Sequence, residues 1–111
     1  MSCTFAHVDA FTDEPFTGNP AAVCLLRADA NDEWMQKVAI ETNVSDTAFV
    51  YLHGGGSDGY RLRWFTPAAE VPLCGHATLA SAHLLWEDGI VEAASEIVFS
   101  TLSGRLVARR K

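Results

Sequence analysis

The chain has 111 residues, of which 49% are hydrophobic and 20% charged, and its formal net charge at pH 7 is −6. This composition is typical of a folded globular domain and excludes a disordered chain. The acidic balance argues against a nucleic-acid partner, because nucleic-acid binding requires clustered Lys and Arg. The longest uncharged run, residues 71–86, contains Pro72 and Gly75 and is too short to span a bilayer. We therefore expect neither a nucleic-acid nor a membrane partner.

The N-terminus and the cysteines narrow the class of protein further. The first residues lack the basic and apolar regions of a secretory signal, so we expect a cytoplasmic protein. The three cysteines, Cys3, Cys24 and Cys74, have neither the spacing of a zinc ribbon nor that of a redox CxxC motif.

The first part of the chain predicts two strands and one helix. Residues 4–11 alternate loosely between apolar and polar, and residues 21–26 form a continuous apolar run that is typical of a buried strand. Asn31 or Asp32 can cap a helix that runs to about Thr42. Its apolar side chains recur at i, i+4 and i+8, which predicts an amphipathic surface helix.

Two hairpins are predicted in the rest of the chain. Residues 47–52 and 60–65 flank a glycine-rich loop, and residues 97–101 and 105–109 flank a turn at residues 103–104. Four of the eight basic residues lie in the last seven positions. Apolar residues alternate with them, which favours a strand with one solvated face over a basic binding arm.

Residues 76–86 predict a helix that contains no Asp, Glu, Lys or Arg. A helix that is apolar on every face is expected to be enclosed by other structure. Because strands are predicted on both sides of it in the sequence, we expect an α+β fold in which a curved sheet surrounds one central helix.

The start of this helix is the main candidate for chemistry. Small residues before it let backbone N–H groups approach a ligand, and the helix dipole favours an anion. Cys74 is either a nucleophile or proton carrier, or a small buried packing residue, and the second reading is favoured. His76 either acts as an acid/base group or holds a carboxylate, or it caps the backbone of its own helix. His83 lies on the same helix face without an evident third ligand, so no metal site is predicted.

Two carboxylates, Glu41 and Asp46, are candidates for an acid/base group. Glu41 lies at the end of the amphipathic helix, where solvent exposure is the favoured interpretation. Asp46 lies where that helix gives way to an apolar strand, and its local sequence is also typical of an Asx turn. Local sequence alone slightly favours the turn.

Six motifs occur in order along the chain: residues 8–11 (VDAF), 16–23 (FTGNPAAV), 43–50 (NVSDTAFV), 63–67 (RWFTP), 70–78 (EVPLCGHAT) and 101–104 (TLSG). In order and spacing they resemble the phenazine-biosynthesis (PhzF-like) family within the diaminopimelate-epimerase superfamily. The resemblance covers essentially the whole chain, and the combination is far more specific than any one motif.

The resemblance implies a fold of two similar lobes, each a strand-rich barrel around a central helix, that face each other across one active site. Residues 1–111 match the N-terminal lobe, and the second lobe lies outside the match. For this chain it implies a diaminopimelate-epimerase-like lobe, with a strongly curved mixed sheet or barrel around one apolar helix and one amphipathic surface helix.

The resemblance also implies cofactor-free proton transfer beside a substrate carboxylate. In PhzF-like proteins the acid/base group is the glutamate of a Ser-Glu-Thr motif, and Asp46 stands at that position here. Gly75, His76 and Ala77 match the helix start that contacts the substrate, and Asn19 matches a turn near the site.

Three functions remain open at this point. The first is a PhzF-like isomerase that acts on a small carboxylate-bearing substrate, without cofactor or metal. The second is an inactive single lobe that forms a homodimer or binds another protein. The third is an epimerase that uses Cys74, because the epimerase branch of the superfamily places a catalytic cysteine at this helix start. A second lobe or a second copy of the chain is the expected partner in the first case.

Overall fold

A computed structural model describes residues 3–9, 20–27, 30–42, 46–52, 59–72, 74–92 and 95–109, with backbone only at residues 3–9, 20, 21 and 76. Within these residues the chain forms seven strands and two helices. In chain order they are β1 (Cys3–Asp9), β2 (Pro20–Leu26), α1 (Asp32–Thr42), β3 (Asp46–Tyr51), β4 (Tyr60–Phe65), β5 (Glu70–Val71), α2 (Gly75–Glu87), β6 (Ile97–Thr101) and β7 (Gly104–Ala108). The predicted α+β class is confirmed.

The strands form one mixed sheet in the order β1-β2-β3-β4-β6-β7, and β5 pairs with the end of β4. The pairs β2–β3 and β4–β6 are parallel, and the others are antiparallel. A parallel pair needs a crossover connection, which α1 supplies for the first pair and α2 for the second. Both crossovers move the same way across the sheet, but β4 runs opposite to β2. Right-handed connections therefore place the two helices on opposite faces.

Side-chain burial agrees with this arrangement. One buried cluster joins α2 to the sheet and includes Ala48 and Val50 of β3. A second cluster joins α1 to the sheet and includes Phe49 and Tyr51 of the same strand. Because alternate residues of a strand point to opposite faces, β3 is buried on both sides. We call these sides the α2 face and the α1 face.

Most of the predicted elements are confirmed with small shifts at their ends. The strands at residues 60–65 and 97–101 have the predicted bounds. Asn31 is confirmed as a helix cap, because its Oδ1 accepts the Trp34 N–H at 2.7 Å. The basic segment is a strand with a solvated face, in which Arg105 and Val107 are exposed and Ala108 is buried. The glycine-rich loop at residues 53–58 lies outside the described residues.

The connection into β4 depends on one glycine. Gly59 has a φ of +81°, which L-residues with a side chain rarely adopt. A Cβ atom at this position would also collide with the carbonyl oxygen of Val98, next to the β4–β6 pairing. Glycine is therefore required where the chain enters β4.

The prediction of a fully enclosed central helix is wrong in one respect. On α2, residues Gly75, Leu79, His83 and Glu87 form an exposed stripe at a spacing of four, and Leu79 is 44% exposed. The sheet order runs from β1 to β7 with no pairing between these two strands in the described part of the chain, so the expected barrel is not closed there. Within the described residues, α2 packs on one face of the sheet and keeps a solvent side. Neither described helix is long and apolar enough to cross a membrane.

Candidate active site

The topology brings several strand and helix ends to one edge of the sheet. β2 and β3 are parallel, and Ala21 pairs with Asp46, so both strands begin at this edge. β4 runs antiparallel to β3 and therefore ends there. The short strand β5 pairs with the end of β4 through Trp64 and Val71, and the chain then leads directly into α2 at Gly75. The start of α2 and the start of β3 consequently lie at the same end of the fold.

Asp46 is the first residue of β3 and is half-buried. The alternation along the strand assigns it to the α2 face, together with Ala48. Its neighbour Thr47 belongs to the other face and is fully buried, with its Oγ1 3.1 Å from Oγ1 of Thr42 at the end of α1. The Asp46 carboxylate thus belongs to the face that α2 covers, at the end where α2 begins.

The first turn of α2 receives no capping hydrogen bond from the side chain of its N-cap residue. Cys74 is the N-cap residue, with extended backbone (φ −146°, ψ 100°), and makes no side-chain capping hydrogen bond. The first helical bond is donated by the Thr78 N–H to the Cys74 carbonyl at 3.1 Å. The first turn contains no acidic residue. A helix start of this kind offers backbone N–H groups and the positive end of the dipole to an anion.

Within the described part of the chain, the space beside Gly75 is open. Gly75 is exposed, and a Cβ atom built on it would meet no atom within 4 Å. Ala77, by contrast, is fully buried against the sheet. The exposed side of the first turn is therefore accessible to a small ligand, while its other side is fixed by packing.

Three hydrogen bonds hold the segment that leads into α2. Apart from Cys74, the residues that make them are not among those predicted from the sequence. The Trp64 indole N–H donates to Thr78 Oγ1 at 3.1 Å, and the Thr78 hydroxyl donates to the Cys74 carbonyl at 2.8 Å. From the β6–β7 turn, the Ser103 hydroxyl donates to the Pro72 carbonyl at 2.6 Å. All these residues lie in the motifs described above, but the pairing across the fold leaves no local signal in the sequence.

The predicted site residues are placed as follows. Asp46 and the α2 start at Gly75, His76 and Ala77 lie at the same end and on the same face of the sheet. For His76 only the backbone, in the first turn of α2, is described. Asn19 lies outside the described residues, directly before the first residue of β2. Cys74 is a buried residue at the helix N-cap, which agrees with its predicted packing role and leaves its chemical role a prediction.

The opposite face carries the strongest electrostatic cluster among the described residues. Arg63 of β4 donates from Nε and Nη2 to both oxygens of Glu70, each at 2.8 Å, and from Nη1 to Asp32 Oδ1 at 2.8 Å. The hydrogen bond with Glu70, above all, raises the pKa of Arg63 despite its burial. The hydrogen bond and charge of Arg63 lower the pKa of Asp32. This cluster fastens the start of α1 to β4 and β5.

The sequence predicts no metal site, and this prediction concerns clusters of His, Cys, Asp and Glu side chains. Among the described residues, no three such side chains come together as ligands. His83 Nε2 lies 3.6 Å from Glu87 Oε1 on the exposed stripe of α2, four residues away. That pair is an ordinary surface contact of a helix.

Comparison with known proteins identifies the family. The model of the phenazine biosynthesis-like protein family matches residues 8–111. The chain is 57% identical over 104 residues to an uncharacterized isomerase of Halalkalibacterium halodurans, covering 94% of this chain and 38% of that protein. It is 54% identical over 107 residues to a human phenazine biosynthesis-like domain-containing protein, covering 92% of this chain and 37% of that protein.

Solved structures agree with this assignment. A PhzF family protein of Enterococcus faecalis superposes with a TM-score of 0.89 at 44% identity, over 100% of this chain and 41% of that one. A predicted epimerase of Pseudomonas aeruginosa superposes with a TM-score of 0.81 at 28% identity, over 96% of this chain and 37% of that one. The chain thus spans about 40% of the length of these relatives. From its motifs, its family-model match and its fold, the chain belongs to the phenazine biosynthesis-like (PhzF) family.

Proposed function

We propose that this chain provides the acid/base group and the carboxylate-binding helix start of a cofactor-independent isomerase. Asp46 removes a proton from a carbon next to the substrate carboxylate and returns it to the same or another carbon. The first-turn N–H groups of Gly75, His76 and Ala77 bind that carboxylate, and Asn19 positions the substrate. The observation that carries the proposal is the start of α2 at the same end and on the same face as Asp46, with Gly75 exposed and no acidic residue in its first turn.

The chemistry matches what these groups can do. When a proton leaves a carbon next to a carboxylate, negative charge spreads onto the carboxylate oxygens. Fixed backbone N–H groups at a helix start stabilise that charge as it develops. The carboxyl group of Asp46 can accept the proton and give it back, so the substrate is rearranged without net oxidation or reduction. No redox cofactor is needed for this sequence of steps.

We further propose that residues 1–111 form one lobe of a two-lobed unit, as the family resemblance implies. A second lobe, or a second copy of this chain, then covers the exposed stripe of α2 and forms the other wall of the site. A closed, curved sheet around α2 is part of the same proposal. The names of the relatives, an isomerase and an epimerase among them, support this class of reaction.

The test is solvent deuterium incorporation into a panel of cyclic and amino-acid-type carboxylates, followed by NMR or mass spectrometry. Asp46→Asn keeps the shape of the side chain and removes its basicity, so we expect incorporation to fall about 10²- to 10⁴-fold. Glu41→Gln is the matched control, because Glu41 is an exposed carboxylate at the end of α1. Equal incorporation by wild type and Asp46→Asn removes Asp46 from the mechanism.

The same assay distinguishes proton transfer by Asp46 from proton transfer by Cys74. The position of Cys74 at the N-cap of α2 is compatible with the second alternative. If Asp46 is the acid/base group, Cys74→Ala retains deuterium incorporation within about tenfold of the wild type. Loss of incorporation in Cys74→Ala, with Asp46→Asn active, assigns the proton transfer to the cysteine instead.

A further inference from the structure

We infer that Trp64 and Thr78 are positioning residues, which hold the first turn of α2 in register with Asp46. The inference rests on the proposed function for its purpose, although the contacts themselves do not. The indole N–H of Trp64 donates to Thr78 Oγ1 at 3.1 Å, and the Thr78 hydroxyl donates to the Cys74 carbonyl at 2.8 Å. We call these two bonds the relay.

The direction of the relay is fixed by the groups that form it. An indole N–H can only donate, so Thr78 Oγ1 is its acceptor. The Thr78 hydroxyl has one proton, which it gives to the Cys74 carbonyl, the same oxygen that accepts the Thr78 N–H at 3.1 Å. Trp64 is fully buried, and Thr78 is only 8% exposed, so water cannot readily replace either bond.

The relay connects the two halves of the proposed site. Trp64 pairs with Ala48 across the β3–β4 ladder, and Ala48 lies on the same face as Asp46, two positions along β3. Thr78 and Cys74 fix the carbonyl that begins α2. One side chain of the sheet therefore sets where the first-turn N–H groups lie relative to the carboxylate. A displacement of about 1 Å between reacting groups can lower a rate on the order of 100-fold.

Packing alone does not account for this arrangement. Valine has nearly the shape of threonine, so a residue that only filled space at position 78 could equally be valine. A valine there would leave the buried indole N–H of Trp64 without its acceptor. The relay therefore makes a prediction that a pure packing role does not make.

The test compares three variants by amide hydrogen exchange and by kinetics. Thr78→Val removes the relay, and Thr78→Ser retains its hydroxyl. Ser81→Ala is the matched control, because the Ser81 hydroxyl is fully buried in the same helix and donates to the Ala77 carbonyl at 2.8 Å, within α2 itself. We expect the backbone amide of residue 78 to exchange at least about tenfold faster in Thr78→Val than in the wild type. Thr78→Ser and Ser81→Ala remain near the wild-type rate, and the amide of Leu85 is unchanged in all of them.

The indole resonances give a direct check on the same bond. Trp64 and Trp86 both donate from Nε1, Trp86 to the Ser95 carbonyl at 2.9 Å. In Thr78→Val we expect the Trp64 indole proton to shift and that of Trp86 to stay. In the deuterium-incorporation assay, kcat falls about 10- to 100-fold in Thr78→Val with little change in KM, and Thr78→Ser restores it.

The outcomes separate this inference from the proposed function. Unchanged exchange at position 78 in Thr78→Val, or faster exchange spread equally over α2, overturns the relay as a positioning device. Local loss of protection with an unchanged kcat overturns its role in the site. If the wild-type protein incorporates no deuterium into any carboxylate, the proposed function fails, and the hydrogen exchange then decides the relay by itself.

Discussion

The two helices of this fold begin in opposite ways. At the start of α1, Asn31 caps the helix, and Asp32 and Glu33 supply acidic side chains in the first turn. At the start of α2, the N-cap residue Cys74 makes no side-chain capping bond, and the first turn contains no acidic residue. Both helices pack against the same sheet, α1 on one face and α2 on the other. The start of α1 is exposed, whereas Cys74 and Ala77 at the start of α2 are buried.

Together with the proposed function, this difference assigns stability to the start of α1 and ligand binding to the start of α2. A side-chain cap and first-turn acidic residues stabilise a helix by about 1 kcal/mol. The chain uses both for α1, whose only evident task is to cover the α1 face. It has neither at the N-cap and first turn of α2, at the end of the fold where Asp46 lies. Under the proposed function, a ligand carboxylate supplies that anion. The following predictions test this division, beginning with the largest expected effect.

Removal of the Arg63 guanidinium is expected to destabilise the α1 face most. Arg63→Met leaves Glu70, which is largely buried, without its bidentate partner and should lower the free energy of unfolding by about 2 kcal/mol. The control is Arg61→Met, because Arg61 is exposed on the same strand and lies over the Tyr51 ring. This substitution should lower the free energy of unfolding by only about 0.5 kcal/mol. Urea unfolding measures both values, and equal losses would contradict a special role for Arg63.

Giving α2 the anion that it lacks should block the site. In Gly75→Glu the new carboxylate competes with a bound ligand at the helix start, and open space at this position accepts the side chain. We expect the Kd for benzoate to be at least tenfold higher than that of the wild type, which corresponds to a loss of about 1.4 kcal/mol in binding free energy. The free energy of unfolding should rise by about 0.3–1 kcal/mol. Gly75→Gln is the uncharged control. A Glu variant that binds benzoate as well as the Gln variant would show that the helix start does not bind the anion.

Removal of the cap of α1 should change stability without affecting the site. Asn31→Ala loses the acceptor of the Trp34 N–H and should destabilise the protein by about 1 kcal/mol. Because this change lies on the α1 side of the fold, deuterium incorporation by the folded protein should stay at the wild-type rate. A parallel loss of activity under conditions where the variant is fully folded would contradict the separation of the two helix starts.

The smallest predicted effect is the pH dependence of the stability that Asp32 contributes on the α1 face. Arg63 holds the pKa of Asp32 below its ordinary value of 3.8. A carboxyl group whose pKa is lower in the folded than in the unfolded state stabilises the fold at pH values above its unfolded-state pKa. This stabilisation is lost as the pH falls through the folded-state pKa. The stability difference between wild type and Asp32→Asn should therefore be full at neutral pH and disappear progressively below pH 3.8. A difference that is constant down to pH 2 would contradict the ion pair with Arg63.

Much of the fold could be predicted from local patterns. The strand at residues 60–65 could be predicted with its bounds because its apolar and aromatic residues lie between clear turn signals. The two residues of β5 gave no such signal, because Glu70–Val71 is a strand only through its pairing with β4 and the Arg63–Glu70 bond. The exposure of Leu79 was also missed, since an uncharged sequence does not reveal which side of a helix the sheet leaves open.

The site divides in the same way. Asp46 and the α2 start were predicted from motifs, and the antiparallel pairings of β3 with β4 and of β4 with β5 explain how they reach one edge. The relay from Trp64 to Thr78 could not be predicted, because it depends on how α2 crosses a particular position of β4. Long-range contacts of this kind follow from the packed fold and have no periodic trace in the sequence.

The most direct test of the contrast between the two helix starts is an NMR titration of the chain with benzoate, with benzamide as the uncharged probe. We predict saturable shifts of the Gly75, His76 and Ala77 amides with benzoate and none with benzamide. The amides of Glu33 and Trp34, in the capped first turn of α1, should not respond. An absence of shifts at Gly75, His76 and Ala77, or equal shifts at both helix starts, would contradict the assignment of α2 as the carboxylate-binding element.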